Sequence, residues 1–259
     1  MTLYERLRDA LRAQEPIVLA TVVAGANIGA KLLVRPDGSY HGTLGNDDID
    51  RVVTRDALGE LAAGTTSIRH YGEHGEAREE AVTVFIESFT LPPRMIIFGA
   101  VDFTAALARV AKLLGYRVTV CDARAVFATV QRFPMADEVI NDWPDRYLAK
   151  VGDELGPRDA VCVLTHDHKF DVPAIAAAVK TEVGYLGAMG SRRTHDARLV
   201  RLREYGVAED DIARVMSPIG LDIGARTPEE TALAICAEII ALRTGRGVSS
   251  LRDASGPIH

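Results

Sequence analysis

The chain has 259 residues, 36 acidic and 30 basic, with a formal net charge of −6 and 47% hydrophobic residues. That length suits one large domain or two modest ones, at roughly 100–200 residues each, and the composition excludes disorder, collagen and coiled coil. The acidic balance argues against nucleic acid as a partner, and no run approaches the ~20 apolar residues of a membrane helix.

Residues 1–7 are amphipathic and charged rather than a signal peptide, so the expected compartment is the cytoplasm, with no membrane insertion. Leu3, Leu7, Ala10 and Leu11 recur at helical spacing. Residues 17–23 and 31–34 read as strands, and Arg35-Pro36-Asp37-Gly38-Ser39 as a turn. A helix is predicted from about Asp47 to Ala63, then two more strands, the last over 81–86. Strand pairs around a helix predict a small α+β domain. It ends at Leu91-Pro92-Pro93-Arg94, where two prolines break helix and inner strand alike.

Beyond that point short apolar strands alternate with helices. Strands are predicted over 95–98, 117–121, 138–140, 160–164 and 183–186, with a helix over 103–114 ending at Gly115 and helical stretches between the rest. Continuous apolar strands separated by helices are what a parallel sheet covered on both faces requires. A doubly wound, Rossmann-like parallel sheet is therefore expected. The expected organisation is a small domain over 1–92, the Rossmann-like domain over 93–245 and a flexible Gly/Ser-containing tail over 246–259. Cys121, Cys162 and Cys236 each lie in an apolar run and form no C-x-x-C pair, so plain buried thiols are expected rather than disulfides or zinc ligands.

In such a sheet ligands bind beyond the carboxyl ends of the strands. The first strand-end segment is Gly99-Ala100-Val101-Asp102-Phe103-Thr104. Gly99 meets the turn requirement of a dinucleotide site and Asp122 the acidic position about 20 residues on. Val101 and Thr104 occupy the other glycine positions, and Asp102 puts a negative charge where a helix N-terminus attracts an anion. NAD(P) binding is thus disfavoured. Gly99 and Asp122 remain either cofactor-binding residues or a plain turn and strand-end cap.

The second segment carries His166, Asp167, His168 and Asp171. If it is extended, the two histidines at i and i+2 point the same way, which suits proton transfer, hydrogen bonding to a polar ring or metal ligation; structural hydrogen bonding is the alternative. In the third, Gly187-Ala188-Met189-Gly190-Ser191-Arg192-Arg193, Ser191 is placed to cap a helix. Free N–H groups and two guanidinium groups would then form an anion site, unless the arginines only cover a solvated face. In the fourth, Thr227, Pro228 and Glu230 fit a structural capping box, whereas Asp222 between Gly220 and Gly224 either meets a ligand or pins the loop. The helix after it is apolar on nearly every face, hence deeply buried or shared with a second copy of the chain.

Together these segments, with Arg132-Phe133-Pro134, resemble the XdhC/CoxI family of accessory proteins that mature molybdenum-containing hydroxylases such as xanthine dehydrogenase. The first half is similar more thinly, through residues 19–23 and 29–34 and Asp37-Gly38. The resemblance implies a homodimeric carrier, not an enzyme with catalytic residues. It would bind molybdenum cofactor, protect it during sulfuration beside a sulfur donor protein, and deliver it to the apo-hydroxylase. The implied cofactor-binding residues are Gly99, Asp122, His166, Asp167, His168, Gly190, Ser191, Arg192, Arg193 and Asp222. The chain departs from the family pattern in the loop after the first Rossmann strand, at Gly99–Phe103, and in the shortened loop before Gly29. It departs again at Gly45-Asn46-Asp47-Asp48-Ile49-Asp50, which lacks a cysteine. Asp47, Asp48 and Asp50 read instead as a helix N-terminal cap. A nucleotide-dependent oxidoreductase and a docking scaffold that holds no cofactor are the alternatives.

Overall fold

The computed structural model describes residues 1–76 and 79–253, in two compact units, Met1–Leu91 and Pro92–His259. Part of the tail expected over 246–259, from residue 254 on, lies outside the described residues.

The first unit is an antiparallel sheet with one helix on each face. Helix α1 (Leu3–Ala13) opens on a capping box between Thr2 and Glu5. Strands β1 (Ile17–Gly25), β2 (Lys31–Val34), β3 (Tyr40–Thr43), β4 (Ser67–Tyr71) and β5 (Val82–Phe89) take the order β3-β2-β1-β5-β4. The alternation along β1 sends Val18, Ala20 and Val22 to the face covered by helix α2 (Asp47–Ala63), and Ile17 and Leu19 to the α1 face. The cap of α2 is Asn46, whose side chain accepts from Ile49 N at 3.0 Å. The three acids expected as the cap stand one step later, in the first turn, where the macrodipole favours them. Asp50 is buried there and accepts from Leu44 N at 2.7 Å. Strand β3 had no clear sequence signal, because its Tyr-His-Gly-Thr stretch is largely exposed and lacks apolar alternation.

The second unit is the parallel sheet: β6 (Arg94–Phe98), β7 (Arg117–Cys121), β8 (Glu138–Ile140), β9 (Ala160–Val163), β10 (Tyr185–Ala188) and β11 (Val215–Met216). Their order, β11-β10-β9-β6-β7-β8, places the topological switch between β6 and β9. Helices α3 (Asp102–Leu113) and α8 (Pro228–Thr244) cover one face. On the other lie α4 (Pro144–Val151), α5 (His168–Ala178), α6 (Arg192–Glu204) and the short α7 (Glu209–Ile212). The sheet is thus doubly wound, and its central strands are almost wholly apolar and buried because both faces are covered. Helix α8 lies between the two expectations for it. Ala232, Ile235, Cys236 and Ile239 are buried against the sheet, while Leu233 and Leu242 are about half exposed.

One connection departs from expectation. Between β7 and β8 no helix forms among residues 122–137; the chain returns through successive turns. Phe133 replaces the missing helix as an anchor, buried in the core cluster that also holds Leu107, Val118 and Val120. Asp137 fastens the end of the crossover, accepting from Val118 N at 2.7 Å and from Lys112.

All three cysteines are free and buried. Burial pushes the Cys121 and Cys236 thiols up to about 12 and raises Cys162 as well. Native protein at about pH 8 is therefore expected to resist thiol-directed reagents, whereas the urea-unfolded chain reacts at all three positions. Rapid labelling of the folded protein would contradict this.

Candidate functional site

The carboxyl ends of β9, β10 and β6 open on a cleft of about 370 Å³ lined by Phe103, His166, Met189, Gly190, Ser191, Ile219 and Thr231. Each wall comes from a different connection. Phe103 lies in the first turn of α3 and His166 just past β9. Residues 189–191 follow β10, Ile219 follows β11, and Thr231 is in the first turn of α8. The walls combine apolar side chains with hydroxyl, imidazole and backbone groups. The volume falls in the range of small-molecule sites, roughly 300–1,000 Å³.

Three of the ten expected residues line this cleft: His166, Gly190 and Ser191. Ser191 caps α6, its hydroxyl accepting from Thr194 N at 3.2 Å. The N–H groups of Arg192 and Arg193 are thereby left without intrahelical acceptors at the positive end of the helix. Their side chains are exposed, outside the lining, and among the described residues no hydrogen bond or ion pair engages either guanidinium. Two cations in a first turn oppose the macrodipole preference, which fits a site that meets an anion.

The histidine pair corrects the extended reading. Asp167 caps α5, accepting from Lys169 N at 3.1 Å, and His168 is the first residue of that helix. The backbone turns between the two rings, so only His166 reaches the cleft. The Lys169 N–H and then its ammonium hold the Asp167 carboxyl below the usual range. The nearby Asp171 faces inward to a buried ion pair with Arg198. Among the described residues no group of three or more His, Cys, Asp or Glu is placed to hold a metal ion.

Gly99 and Asp122 also stand away from the cleft. Gly99 has φ +109°, and a Cβ there would fall 2.9 Å from Thr165 N, so the glycine lets the β6–α3 turn lie against the end of β9. Asp122 is buried and accepts from Ala100 N at 2.8 Å, from Arg124 N at 2.8 Å and from both ends of the Arg124 fork at 2.9 and 2.7 Å. Burial opposes its ionisation, but the Arg124 guanidinium and the two backbone N–H groups outweigh it and hold the carboxyl low. That stabilisation is present above the unfolded carboxylate range and is lost as pH falls through the lowered value. The residue thus ties the β6–α3 turn to the strand beside it.

The turn itself carries Val101 at the N-cap without a side-chain hydrogen bond, followed by exposed Asp102. Arg132 reaches across from the β7–β8 crossover, donating to Ala100 O at 3.1 Å and standing 3.8 Å from Asp102. A side chain, a carboxylate and its counter-ion occupy the region where a dinucleotide fold leaves bare backbone. Asp222 is exposed in the loop before α8 and does not line the cleft. The capping box of Thr227 and Glu230, with Pro228 at the first helical position, forms as expected.

Phe103, Met189, Ile219 and Thr231 were not expected at the site, nor was Arg198, which is 2% exposed and supports it from below. Its donors reach Asp171 at 3.1 Å, Met189 O at 2.7 Å and Ser217 Oγ at 3.0 Å. The available signal was its place on α6, four residues before buried Leu202 on the same face.

Residues 95–239 match the XdhC Rossmann domain, and residues 10–72 match the XdhC and CoxI family. The chain is 31% identical to the uncharacterized protein YqeB of Escherichia coli over 83% of its own length and 40% of that protein. It is 28% identical to a probable xanthine dehydrogenase subunit of Bacillus subtilis over 93% of its length and 64% of that protein. It is 33% identical to the molybdenum cofactor insertion chaperone PaoD of E. coli over 38% of its length and 31% of that protein. The chain therefore spans less than two thirds of the length of each of these relatives. In fold it is similar to a solved structure described as a xanthine dehydrogenase from Bacillus halodurans, with a TM-score of 0.57 at 22% identity, covering 96% of this chain and 98% of that one. With more than half of its residues inside the Rossmann-domain match, the chain belongs to the XdhC and CoxI family.

Proposed function

We propose that the chain is an accessory factor that binds molybdenum cofactor and delivers it to a molybdenum hydroxylase. The observation that carries this reading is the cleft at the sheet's switch point, walled by family-matched segments and edged by the N-terminus of α6, where Ser191 caps one N–H and two guanidinium groups have no hydrogen bond or ion pair among the described residues. Its apolar and hydroxyl walls suit a pterin ring, and the α6 end suits the pterin phosphate. Among the described residues no cysteine or carboxylate lines it, so the wall offers no thiolate to compete for molybdenum. Membership in a family whose relatives include a molybdenum cofactor insertion chaperone supports the same reading. In this proposal His166, Gly190 and Ser191 contact the cofactor and Arg192 and Arg193 its phosphate. Gly99, Asp122 and Asp167 hold the surrounding turns, and His168 and Asp222 lie at the approach. The working form is a cytoplasmic homodimer that meets a sulfur donor protein before the apo-hydroxylase. Among the described residues no helix is long and apolar enough to cross a membrane.

Anaerobic incubation with isolated molybdenum cofactor, followed by gel filtration and elemental analysis, is expected to show retained molybdenum. Joint replacement of Arg192 and Arg193 by alanine is expected to weaken retention about tenfold, the scale of one lost charge-assisted hydrogen bond. No retention by the unaltered protein would end the carrier reading. Calorimetric titration with NADH and NADPH separates the oxidoreductase alternative. No micromolar binding is expected, because Val101 and Asp102 replace the phosphate cradle.

A further inference from the structure

The segment Ser217-Pro218-Ile219-Gly220 supplies one wall of the cleft through Ile219 and is pinned at both ends by buried charged side chains from different helices. At one end Arg198 of α6 donates to Ser217 Oγ at 3.0 Å and to Met189 O at 2.7 Å, while Asp171 balances its charge. At the other, Glu238 of α8, 7% exposed, accepts from Gly220 N at 3.0 Å and from Tyr185 Oη at 2.5 Å. Between the pins Ile219 N donates to Ala188 O at 3.2 Å. Its side chain uses the space a Cβ at Gly187 would take, 2.5 Å from Ile219 Cδ1. Burying a guanidinium and a carboxylate is costly unless each is satisfied by hydrogen bonds. Here the satisfying groups are the backbone and hydroxyl of the segments that shape the cleft.

We infer that Arg198 and Glu238 are positioning residues: without lining the cleft, they fix the 217–220 segment so that Ile219 and Met189 stand at the spacing the ligand requires. The inference rests on the carrier reading of the cleft, and it assigns ligand affinity to two residues behind its surface. Met189 is set directly by the Arg198 bond to its carbonyl, and Ile219 by the bonds on either side of it.

The test uses the full chain in three measurements: thermal midpoint, amide exchange of a peptide covering 215–224 without ligand, and retention of isolated molybdenum cofactor. Arg198→Lys keeps a charge beside Asp171 but lacks the fork that spans three acceptors. It is expected to speed exchange of the segment and weaken retention, each about tenfold. Ser217→Ala leaves the buried ion pair intact and keeps the test open should the lysine variant fold poorly; a smaller change in the same direction is expected. Glu238→Gln retains an acceptor for Gly220 N–H and is expected to behave within about twofold of the unaltered protein, whereas Glu238→Leu is not. A Cβ at Gly187 would fall 2.5 Å from Ile219 and 2.8 Å from the Tyr185 ring that bonds Glu238, so Gly187→Ala disturbs the wall and one of its pins together and is expected to weaken retention. Unchanged exchange in both Arg198→Lys and Ser217→Ala overturns the pinning. Faster exchange with retention equal to the unaltered protein overturns the link to affinity. If the unaltered protein retains nothing, the carrier reading fails and the affinity claim with it, while the exchange arm still decides whether these residues hold the segment.

Discussion

Replacing Arg198 with methionine is expected to lower the stability of the Rossmann unit by about 3–5 kcal/mol, seen as a fall in the urea midpoint at constant slope. The cost comes mainly from what remains. Asp171 is 3% exposed, and among the described residues its Oδ1 has no hydrogen-bond partner and Arg198 is its one ion-pair partner, so removing Arg198 leaves the carboxylate buried without that counter-ion. Met189 O and Ser217 Oγ lose their donor in the same step. Replacing Asp171 by leucine together with Arg198 by methionine is expected to restore most of the loss, because a buried pair exchanged for apolar groups of similar volume is often neutral or stabilising. A single variant within about 1 kcal/mol of the original would show that water or a relaxed rotamer relieves the orphaned charge.

Phe133→Ala carries the second large effect, also about 3–5 kcal/mol, as for aromatic deletions in other cores. Phe133 is 2% exposed and packs in the cluster that joins α3 and α8 to the sheet. Ordinarily a crossover helix spreads such burial over several side chains; here one ring bears much of it, so little can close around the cavity. Phe133→Leu keeps most of the volume and is expected to cost less than about 1.5 kcal/mol. Thermal unfolding of both variants, with far-ultraviolet circular dichroism to confirm the fold, checks the contrast. Near-equal midpoints for alanine and leucine would mean that the crossover is not anchored by this ring.

Much of the fold was legible because the sequence repeats its signals. Helix α2 runs over the predicted residues, and β2, β7 and β8 keep their predicted bounds, since apolar periodicity and flanking turn residues agree there. The helix-less return from β7 to β8 was not legible. The expectation rested on the alternation of strands with helices; locally Val126, Phe127, Thr129 and Val130 are β-branched or aromatic and weak helix formers, and Phe133 and Asp137 anchor the turns that form instead. The site divided along similar lines. Ser191 announced itself by capping chemistry, and His166 by its place after a strand. His168 did not reach the cleft because Asp167 claims the cap and starts a helix, an event two residues long that the extended reading passed over. Arg198 and Glu238 were hidden for a different reason. Each is one charged residue on a helix's buried face, and composition treats it as solvated.

The Val101-Asp102 turn bears on competition as well as recognition. A Rossmann sheet with a bare glycine cradle is open to every abundant pyridine dinucleotide, and any such ligand at many times its dissociation constant would fill the site for most of the protein's lifetime. A scarce, labile cargo would then find few vacant molecules, and its apparent affinity would fall by the vacant fraction. In the proposed carrier, the protein's own valine, carboxylate and arginine at this turn would keep that competitor out. Under the proposed carrier role, readiness would then follow the supply of the cargo and not the redox currency of the cell.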